Sequence, residues 1–344
     1  MESLRPALTA TGAGLQIAVL ERQPDYRVSK MPIEAASSWP ELPYAAWKDT
    51  CTTLHLWTQV VGKVRLALTP WINHSWHVTL RVSARGLTTP LTSTSGRHFQ
   101  VEFDFVDHIL WLRMSDGHRR QLVLRPMPVA EFYLGFLQLL SDAGIKVRIA
   151  DMPNEIAEAI PFSRDLTHTA YDREFVHRFW QILLVSHEVF SYFRSSFLGK
   201  TSPVHFFWGS FDLAVTRFSG RRAPMHPGGV PHLSDAVVRE AYSHEVSSAG
   251  FWPGGGPIDY PAYYSYAYPP PEGFASAAVR PPQAFFSKEL GEFILPYDAV
   301  RTAPDPKGAL MAFLQSTYSA AAEKGNWDRA SLECALGTAG RPPR

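Results

Sequence analysis

Ionisable side chains alternate with aromatic rings along residues 203–273, and this is the part of the sequence where chemistry is expected. The run SPVHFFWGSFDLAVTRFSGRR reads as one extended strand, in which side chains alternate between two faces. His205 and Asp212 would then lie on opposite faces, but a bulge at Gly209 would bring them together. A carboxylate in so apolar a strand needs a partner, because burying a lone charge is costly. That partner is either Arg217, in a structural ion pair, or a group of a functional site.

The next run, REAYSHEVSSAGFWPGGG, reads as a second strand over residues 239–251 and supplies a further histidine. Two histidines and one carboxylate form a ligand set that suits non-haem Fe(II). His205, Asp212 and His244 would therefore bind a divalent metal such as iron. Without a metal, Asp212, His244 and Glu245 would act as general acids and bases. A solvated outer strand face is the structural alternative to both functional interpretations.

Tyrosines dominate the third run, YPAYYSYAYPPPEGF, in which Tyr264 and Tyr266 share one face of an extended chain. Such a ladder either stiffens a sheet or lines a pocket whose phenol hydroxyls orient a ligand. The glycine-rich loop at residues 252–256 would form the rim of that pocket. The expected substrate-binding residues are Trp208, Arg217, Trp252, Tyr264 and Tyr266, with the arginine as the anchor for an anionic group.

Composition restricts what such a pocket could receive. The chain has 344 residues, 45% of them hydrophobic and 13% aromatic, and its 33 basic and 32 acidic residues give a formal charge of +1. This balance provides no field that would hold a polyanion, so we expect a small-molecule ligand and no nucleic acid. No apolar run reaches the roughly 20 residues of a membrane span, and we expect no membrane partner. Two cysteines far apart in the sequence, Cys51 and Cys334, predict a location in the reducing cytoplasm.

Hydrophobic periodicity around this region predicts an α+β fold with mainly antiparallel strands. A helix, a run of strands and another helix occur twice, so we expect two sheet-and-helix halves packed around a shared core with a long buried helix. The predicted helices are residues 46–61, 129–143, 171–197 and 306–323. The predicted strands are residues 77–84, 87–93, 99–105, 109–114, 121–124, 146–149, 204–218, 239–251, 262–268 and 285–295, the last as one strand or a pair.

The same patterns divide the chain into five segments. Residues 1–37 lack sustained periodicity and are expected to form a loosely ordered N-terminal extension. The expected segments after it are a first half (38–150), a crossover (151–170), a second half (171–325) and a frayed tail (326–344).

Four runs of the sequence resemble a known family. They are WPELPYAAWKDTCTTLHLWTQVVGKVRLAL, SPVHFFWGSFDLAVTRFSGR, AYSHEVSSAGFWPGG and YSYAYPPPEGF. Together they resemble the DUF5996 family, a set of uncharacterised bacterial cytoplasmic proteins, from Trp39 to the last helix. The resemblance implies a shared fold over that span and supplies no activity, cofactor or catalytic residue.

Three functions remain open from the sequence. The first is a small-molecule enzyme, either a metal-dependent oxidoreductase or hydrolase or an acid–base catalyst, with its pocket in the second half. The second is a ligand-binding protein that uses the same aromatic pocket without chemistry. The third is an interaction module, in which exposed aromatic rings form a partner surface or a homodimer face.

Overall fold

Two antiparallel sheets and the helices packed on them make up the residues that the computed structural model describes, 39–256 and 258–341. The predicted extension, residues 1–37, lies outside these ranges. The helices are α1 (Tyr44–Leu68), α2 (Val129–Asp142), α3 (Arg173–Ser195), α4 (Asp235–Ala241), α5 (Tyr297–Arg301), α6 (Pro306–Lys324) and α7 (Arg329–Leu332). The strands are β1 (Arg81–Ser83), β2 (Gly86–Thr88), β3 (Thr92–Thr94), β4 (Arg97–Asp104), β5 (Ile109–Met114), β6 (Arg119–Val123), β7 (His205–Phe207), β8 (Asp212–Arg222), β9 (His244–Trp252), β10 (Ala262–Tyr268), β11 (Phe285–Ser287) and β12 (Glu292–Pro296). The predicted α+β class is confirmed, and no described helix is long and apolar enough to cross a membrane.

Each half of the chain contributes one sheet. The first has the strand order β1-β2-β4-β5-β6, with β3 paired to β4, and the second has the order β11-β12-β10-β9-β8-β7. Leu80 and Phe206 exchange two backbone hydrogen bonds of 2.9 Å, which join the two sheets where β1 and β7 meet. One hydrophobic cluster extends through both halves, so the described residues share a single core.

Helix α1 runs through the centre of this core. It is buried on almost every side from Thr53 to Arg65, and the fully buried Trp57 ring lies 4.8 Å from Phe132 and 5.3 Å from Tyr171. The sequence predicted residues 171–197 as the longest helix, buried between layers. The helix there is α3, with 23 residues, but α1 is longer, with 25, and packs against both halves, whereas α3 keeps a side that faces solvent.

Two long predicted strands of the second half are interrupted. The first, residues 204–218, folds back through a turn at 208–211 into the hairpin of β7 and β8, with Phe211 in the left-handed region at φ 59°. The second, residues 239–251, overlaps the end of α4 and is a strand only from His244 onward. The Ser234 hydroxyl caps the N-terminus of α4. The remaining strands of this half agree with the prediction, with residues 285–295 as a strand pair.

The last described residues follow α6 and pack on the same core. Trp327 is 9% exposed, with its ring 5.9 Å from that of Tyr318. The backbone N–H of Leu198 donates to the carbonyl of Leu332 at 2.7 Å. The segment boundaries predicted at residues 150 and 170 stay predictions.

Candidate functional site

The second sheet has one face covered by helices and one polar face. Arg217 of β8 points to the helical side, where its Nη2 atom donates to Ser196 Oγ (2.9 Å) next to the end of α3. Because side chains alternate along a strand, Asp212 and Thr216 point to the opposite side, which we call the polar face. Ser248 of β9 lies there too, since its hydroxyl oxygen is 2.8 Å from that of Thr216.

Asp212 lies at one end of the polar face. It is the first residue of β8, directly after the turn at 208–211, and is only 6% exposed. The Ser210 hydroxyl donates to its Oδ1 atom at 2.5 Å, and the Tyr264 hydroxyl donates to its Oδ2 atom. Burial raises the pKa of Asp212, while the two hydrogen bonds oppose this rise. Both carboxylate oxygens are thus held by neutral donors.

Gly250 allows Tyr264 to reach this carboxylate. In the register of the sheet, Gly250 of β9 lies between Ala214 of β8 and Tyr264 of β10. A Cβ atom at Gly250 would overlap the Tyr264 hydroxyl and the Leu213 carbonyl oxygen. The absence of a side chain at this position is therefore a condition of the hydrogen bond between Tyr264 and Asp212.

Glu155 approaches the polar face from a loop between the two halves. Its backbone has a φ of 62°, and Gln59 of α1 holds the preceding residue, Asn154, through two hydrogen bonds to the backbone N–H (2.8 Å) and carbonyl (2.9 Å). The carboxyl group lies against Gly209, where a Cβ atom would overlap Oε1. A non-glycine residue in this conformation is held by its surroundings and often marks a functional position.

Glu292 completes a group of three carboxyl groups. It is the first residue of β12. Side chains two residues apart on a strand lie on the same face, so Glu292 lies on the face of Ile294, which pairs with Tyr264. Desolvation by the surrounding protein, together with the negative charge of Asp212, raises the pKa of both Glu155 and Glu292 to about 7. Glu155 as a whole residue keeps exposed surface. No described residue forms an ion pair with any of these three carboxyl groups.

Tyrosine hydroxyls line the remaining part of the site. The Tyr264 and Tyr266 rings stack with centroids 6.1 Å apart, and the Tyr266 and Tyr242 hydroxyl oxygens are 2.9 Å apart. Burial raises the pKa of Tyr242 to about 12 and raises the pKa values of Tyr264 and Tyr266 well above their ordinary value, so all three are neutral hydrogen-bonding groups. We call the set of six residues the carboxylate–tyrosine site; it consists of Glu155, Asp212, Glu292, Tyr242, Tyr264 and Tyr266.

Helix α1 supports this site with a row of polar residues one turn apart. His55 Nε2 donates to the Gly209 carbonyl (2.7 Å), and Lys63 donates to the side-chain oxygen of Asn154. Burial lowers the pKa of His55 to about 4 and that of Lys63 to about 8. Together with Gln59 between them, these residues hold the Glu155 loop and the 208–211 turn against each other.

The predicted metal ligands are not brought together. His205 is fully buried beside the rings of Trp76 and Phe207, and neither of its ring nitrogens has a hydrogen-bond partner among the described residues. His244 lies at the start of β9, near His74, whereas Asp212 is at the opposite end of the sheet's polar face. Within residues 39–256 and 258–341, no group of three His, Cys, Asp or Glu side chains could hold a metal ion.

The other predicted site residues divide between the two faces. Glu245 is on the helical side, in an ion pair of 2.7 Å with Arg221. Arg217 is fully buried there, with its guanidinium carbon 3.6 Å from the Phe193 ring centroid, so neither the ion pair with Asp212 nor a surface anchor for an anion is formed.

Two predicted aromatic residues have structural contacts. Trp208 is buried, and its indole N–H donates to the Val78 carbonyl at 2.9 Å. Trp252 packs with Tyr264 in a small cluster at the end of β9, near the carboxylate–tyrosine site. Asp212, Tyr264 and Tyr266 are therefore the predicted site residues that the fold brings together, with Trp252 beside them.

Two cavities elsewhere on the surface lack this concentration of carboxyl and phenol groups. One, of about 370 Å³, lies between α2 and residues 145–148; the other, of about 200 Å³, lies between Glu245, Tyr268 and Trp327. The carboxylate–tyrosine site is outside both.

With this geometry established, the chain can be compared with known proteins. The model of a family described as Family of unknown function (DUF5996) matches residues 39–334. The chain belongs to this family. The part that defines DUF5996 thus includes both sheets and all six residues of the carboxylate–tyrosine site. No curated protein and no solved structure matches the chain, so membership of DUF5996 brings no activity with it.

Sequence reasoning did not identify several residues that the structure places at or beside this site: His55, Gln59, Lys63, Glu155, Tyr242 and Glu292. Glu155 lies in the irregular stretch predicted as a crossover, and Glu292 lies in a short strand beside a turn, so neither is near a recognisable motif. His55 and Gln59 carried a signal that could have been used. They are polar residues one helical turn apart, next to the apolar residues Leu54, Trp57 and Val60 of the same helix, and buried polar residues need partners.

Proposed function

We propose that this protein is a small-molecule enzyme that works by general acid–base catalysis at the carboxylate–tyrosine site. The observation that carries the proposal is that two carboxyl groups, those of Glu155 and Glu292, lie near Asp212 and have a pKa of about 7. A catalytic acid or base is most effective when its pKa is close to the working pH. Carboxyl groups rarely reach that range without a structure that desolvates them or places like charges together.

The three carboxyl groups have different roles in the proposal. Asp212 accepts hydrogen bonds from Ser210 and Tyr264, which favour its ionised form, so it acts as the fixed negative charge. Glu155 and Glu292 receive no hydrogen bond from a described side chain, and close to neutral pH each exchanges its proton readily. One of them would donate a proton to the substrate while the other accepts one.

The surroundings indicate the substrate class. Three carboxyl groups repel anions, so the substrate is a neutral or cationic small molecule. The hydroxyls of Tyr242 and Tyr266 would orient its polar groups, and their rings would contact its carbon skeleton. Sequence reasoning had expected an anionic group bound by Arg217, but that side chain is buried on the other face.

Turnover of unknown substrates provides the test. Purified protein is incubated with a cell extract freed of macromolecules, and the small molecules are followed by mass spectrometry. We expect the wild-type protein to consume at least one compound. Asp212→Asn should consume it about 100-fold more slowly, because Glu155 and Glu292 lose the charge that raises their pKa, and positioned acid–base groups contribute at least about that much. The exposed Asp116, in the turn between β5 and β6 of the first sheet, provides the matched control, because Asp116→Asn makes the same change away from the site.

The possible results separate the proposal from its alternatives. Equal consumption by Asp212→Asn and wild type, with both variants folded by circular dichroism, would contradict the assigned role. If no compound is consumed but one raises the melting temperature of the wild type and not that of Asp212→Asn, the protein is a ligand-binding protein and the proposed catalysis is wrong.

A further inference from the structure

A second group of ionisable residues lies at the other end of the second sheet, away from the carboxylate–tyrosine site. Its centre is His74, in a short 3-10 turn (Asn73–Ser75) that packs against α4 and β8. Lys200, Glu240 and His244 surround it. His74 is 5% exposed, whereas Lys200 is an exposed residue, so the group is accessible from the lysine side.

The hydrogen bonds of His74 define its protonation. Its Nδ1 atom is 2.9 Å from the carbonyl oxygen of Ala241, and its Nε2 atom is 2.6 Å from Nζ of Lys200. A carbonyl oxygen only accepts, so Nδ1 carries the ring proton. The lone pair of Nε2 therefore faces the lysine amine, and burial lowers the pKa of His74, which keeps the ring neutral.

The backbone holds His74 in this orientation against its own preference. His74 and Ser75 have φ values of 60° and 57°, in the left-handed region, and the N–H of His74 donates to Oε2 of Glu240 at 2.8 Å. Two successive non-glycine residues in that region are costly, and they persist where tertiary contacts impose them. The imidazole is thus fixed by three contacts before any ligand binds.

The amine is positioned as closely as the ring. Nζ of Lys200 lies 4.7 Å from the centroid of the Phe218 ring and 5.3 Å from that of Trp76. These cation–π contacts favour the ammonium form, so a free amine has to be produced by removal of a proton at the moment of attack. Burial opposes them and lowers the pKa of Lys200. The imidazole at 2.6 Å is the base that can take this proton.

We propose that Lys200 and His74 form a reactive lysine–histidine dyad, in which Lys200 is a nucleophile that forms an imine with a small aldehyde or ketone. The arrangement follows the logic of an activated nucleophile: a nucleophile, an adjacent base, and a third group, here the Ala241 carbonyl, that orients the base. The rings of Trp76 and Phe218 would contact the carbon chain of the carbonyl compound. The proposal is independent of the carboxylate–tyrosine site.

The step is balanced without a further reactant. Nε2 of His74 takes one proton from the Lys200 ammonium group, and the amine lone pair forms a C–N bond with the carbonyl carbon. The carbonyl oxygen takes this proton from Nε2, which gives a carbinolamine with a protonated nitrogen. Loss of the hydroxyl group with one proton from that nitrogen, as water, breaks the C–O bond and leaves a protonated imine of Lys200.

Reductive alkylation measures imine formation at every lysine in one experiment. The full-length protein is treated with propanal and cyanoborohydride at pH 7, and the alkylation of each lysine is followed by peptide mass spectrometry. We expect Lys200 to react about 100-fold faster than Lys146 and Lys288, which are exposed but have no adjacent base. Equal rates at these three lysines would overturn the proposal, and this comparison requires no variant.

A variant tests the role of the histidine. His74→Gln retains groups that can hydrogen-bond to Lys200 and Ala241 but removes the base, so the rate at Lys200 should fall to that of Lys146. His118→Gln, the same change at a side chain that is 82% exposed, should leave it unchanged. If folded His74→Gln alkylates Lys200 as fast as the wild type, the dyad is wrong; if the variant does not fold, the wild-type comparison decides.

Discussion

Glu292 should make the stability of this protein depend on pH, and the effect can be isolated by one substitution. Its carboxyl group has an ordinary pKa of 4.5 and a pKa of about 7 in the folded chain, because of burial and the charge of Asp212. Between these two values the folded state keeps a proton that the unfolded state has lost. The folded state therefore has its full stability below pH 4.5 and loses part of it as the pH rises to about 7.

The size of the loss follows from the two pKa values. At about 1.4 kcal/mol for each pKa unit, the difference between 4.5 and about 7 corresponds to an upper limit of about 3 kcal/mol. Glu292→Gln removes the titration and retains the shape of the side chain. We expect the variant and the wild type to have similar stability at pH 4, and the variant to be more stable by about 2–3 kcal/mol at pH 8.

Urea unfolding followed by circular dichroism, at several pH values between 4 and 8.5, measures this difference. Glu289→Gln is the matched control, because Glu289 is an exposed glutamate of the same hairpin. A difference between Glu292→Gln and wild type that stays constant over the whole pH range would refute the reasoning. It would show that Glu292 is not desolvated beside Asp212, and the proposed acid–base site would lose one of its two proton-exchanging groups.

Three further predictions concern the packing around the site. Gly250→Ala should destabilise the fold by about 1–3 kcal/mol, because the new methyl group would overlap a backbone carbonyl oxygen and the Tyr264 hydroxyl. Gly135→Ala on α2 is the control: its methyl group would meet only ordinary contacts, so it should not destabilise the fold. Urea unfolding of the two variants measures the difference. Gln59→Leu should lower the free energy of unfolding by about 2 kcal/mol, because it leaves the backbone N–H and carbonyl of Asn154 without their partner. Gln138→Leu, at an exposed position, should change it little, and equal urea midpoints for the two variants would contradict the prediction. In a thiol titration of the native protein, Cys334 should react, whereas Cys51 should react only after unfolding, because it is buried and burial raises its pKa. Rapid reaction of both cysteines in the native protein would show that α1 opens.

The local elements were largely predictable, because each depends on a short sequence pattern. β10 was predicted at its observed bounds, since the alternation in AYYSYAY leaves only one way to separate its two faces. α2 and α6 were predicted to within one residue at each end, because proline or aspartate precedes each of them and their apolar residues recur at helical spacing.

The candidate site was only partly predictable. Asp212, Tyr264 and Tyr266 were identified because each stands out within its own strand. The prediction of one long strand over residues 204–218 misplaced His205, because an apolar run with a single glycine does not indicate a hairpin. The turn depends on Phe211 in the left-handed region, and its ring is held there by the rings of Phe179 and Phe206. These contacts belong to other elements and leave no local signal.

By itself the sequence determined the class of fold, because hydrophobic periodicity is a property of neighbouring residues, and four of its runs carried the resemblance to the family. It also indicated residues 203–273 as the region in which to look for chemistry. The tertiary structure alone decided which carboxyl groups meet. Glu155 and Glu292 are more than a hundred residues apart in the chain, and both reach Asp212 only because a strained loop and a sheet register bring them there. Their pKa values follow from that proximity and from desolvation, and both are properties of three-dimensional packing.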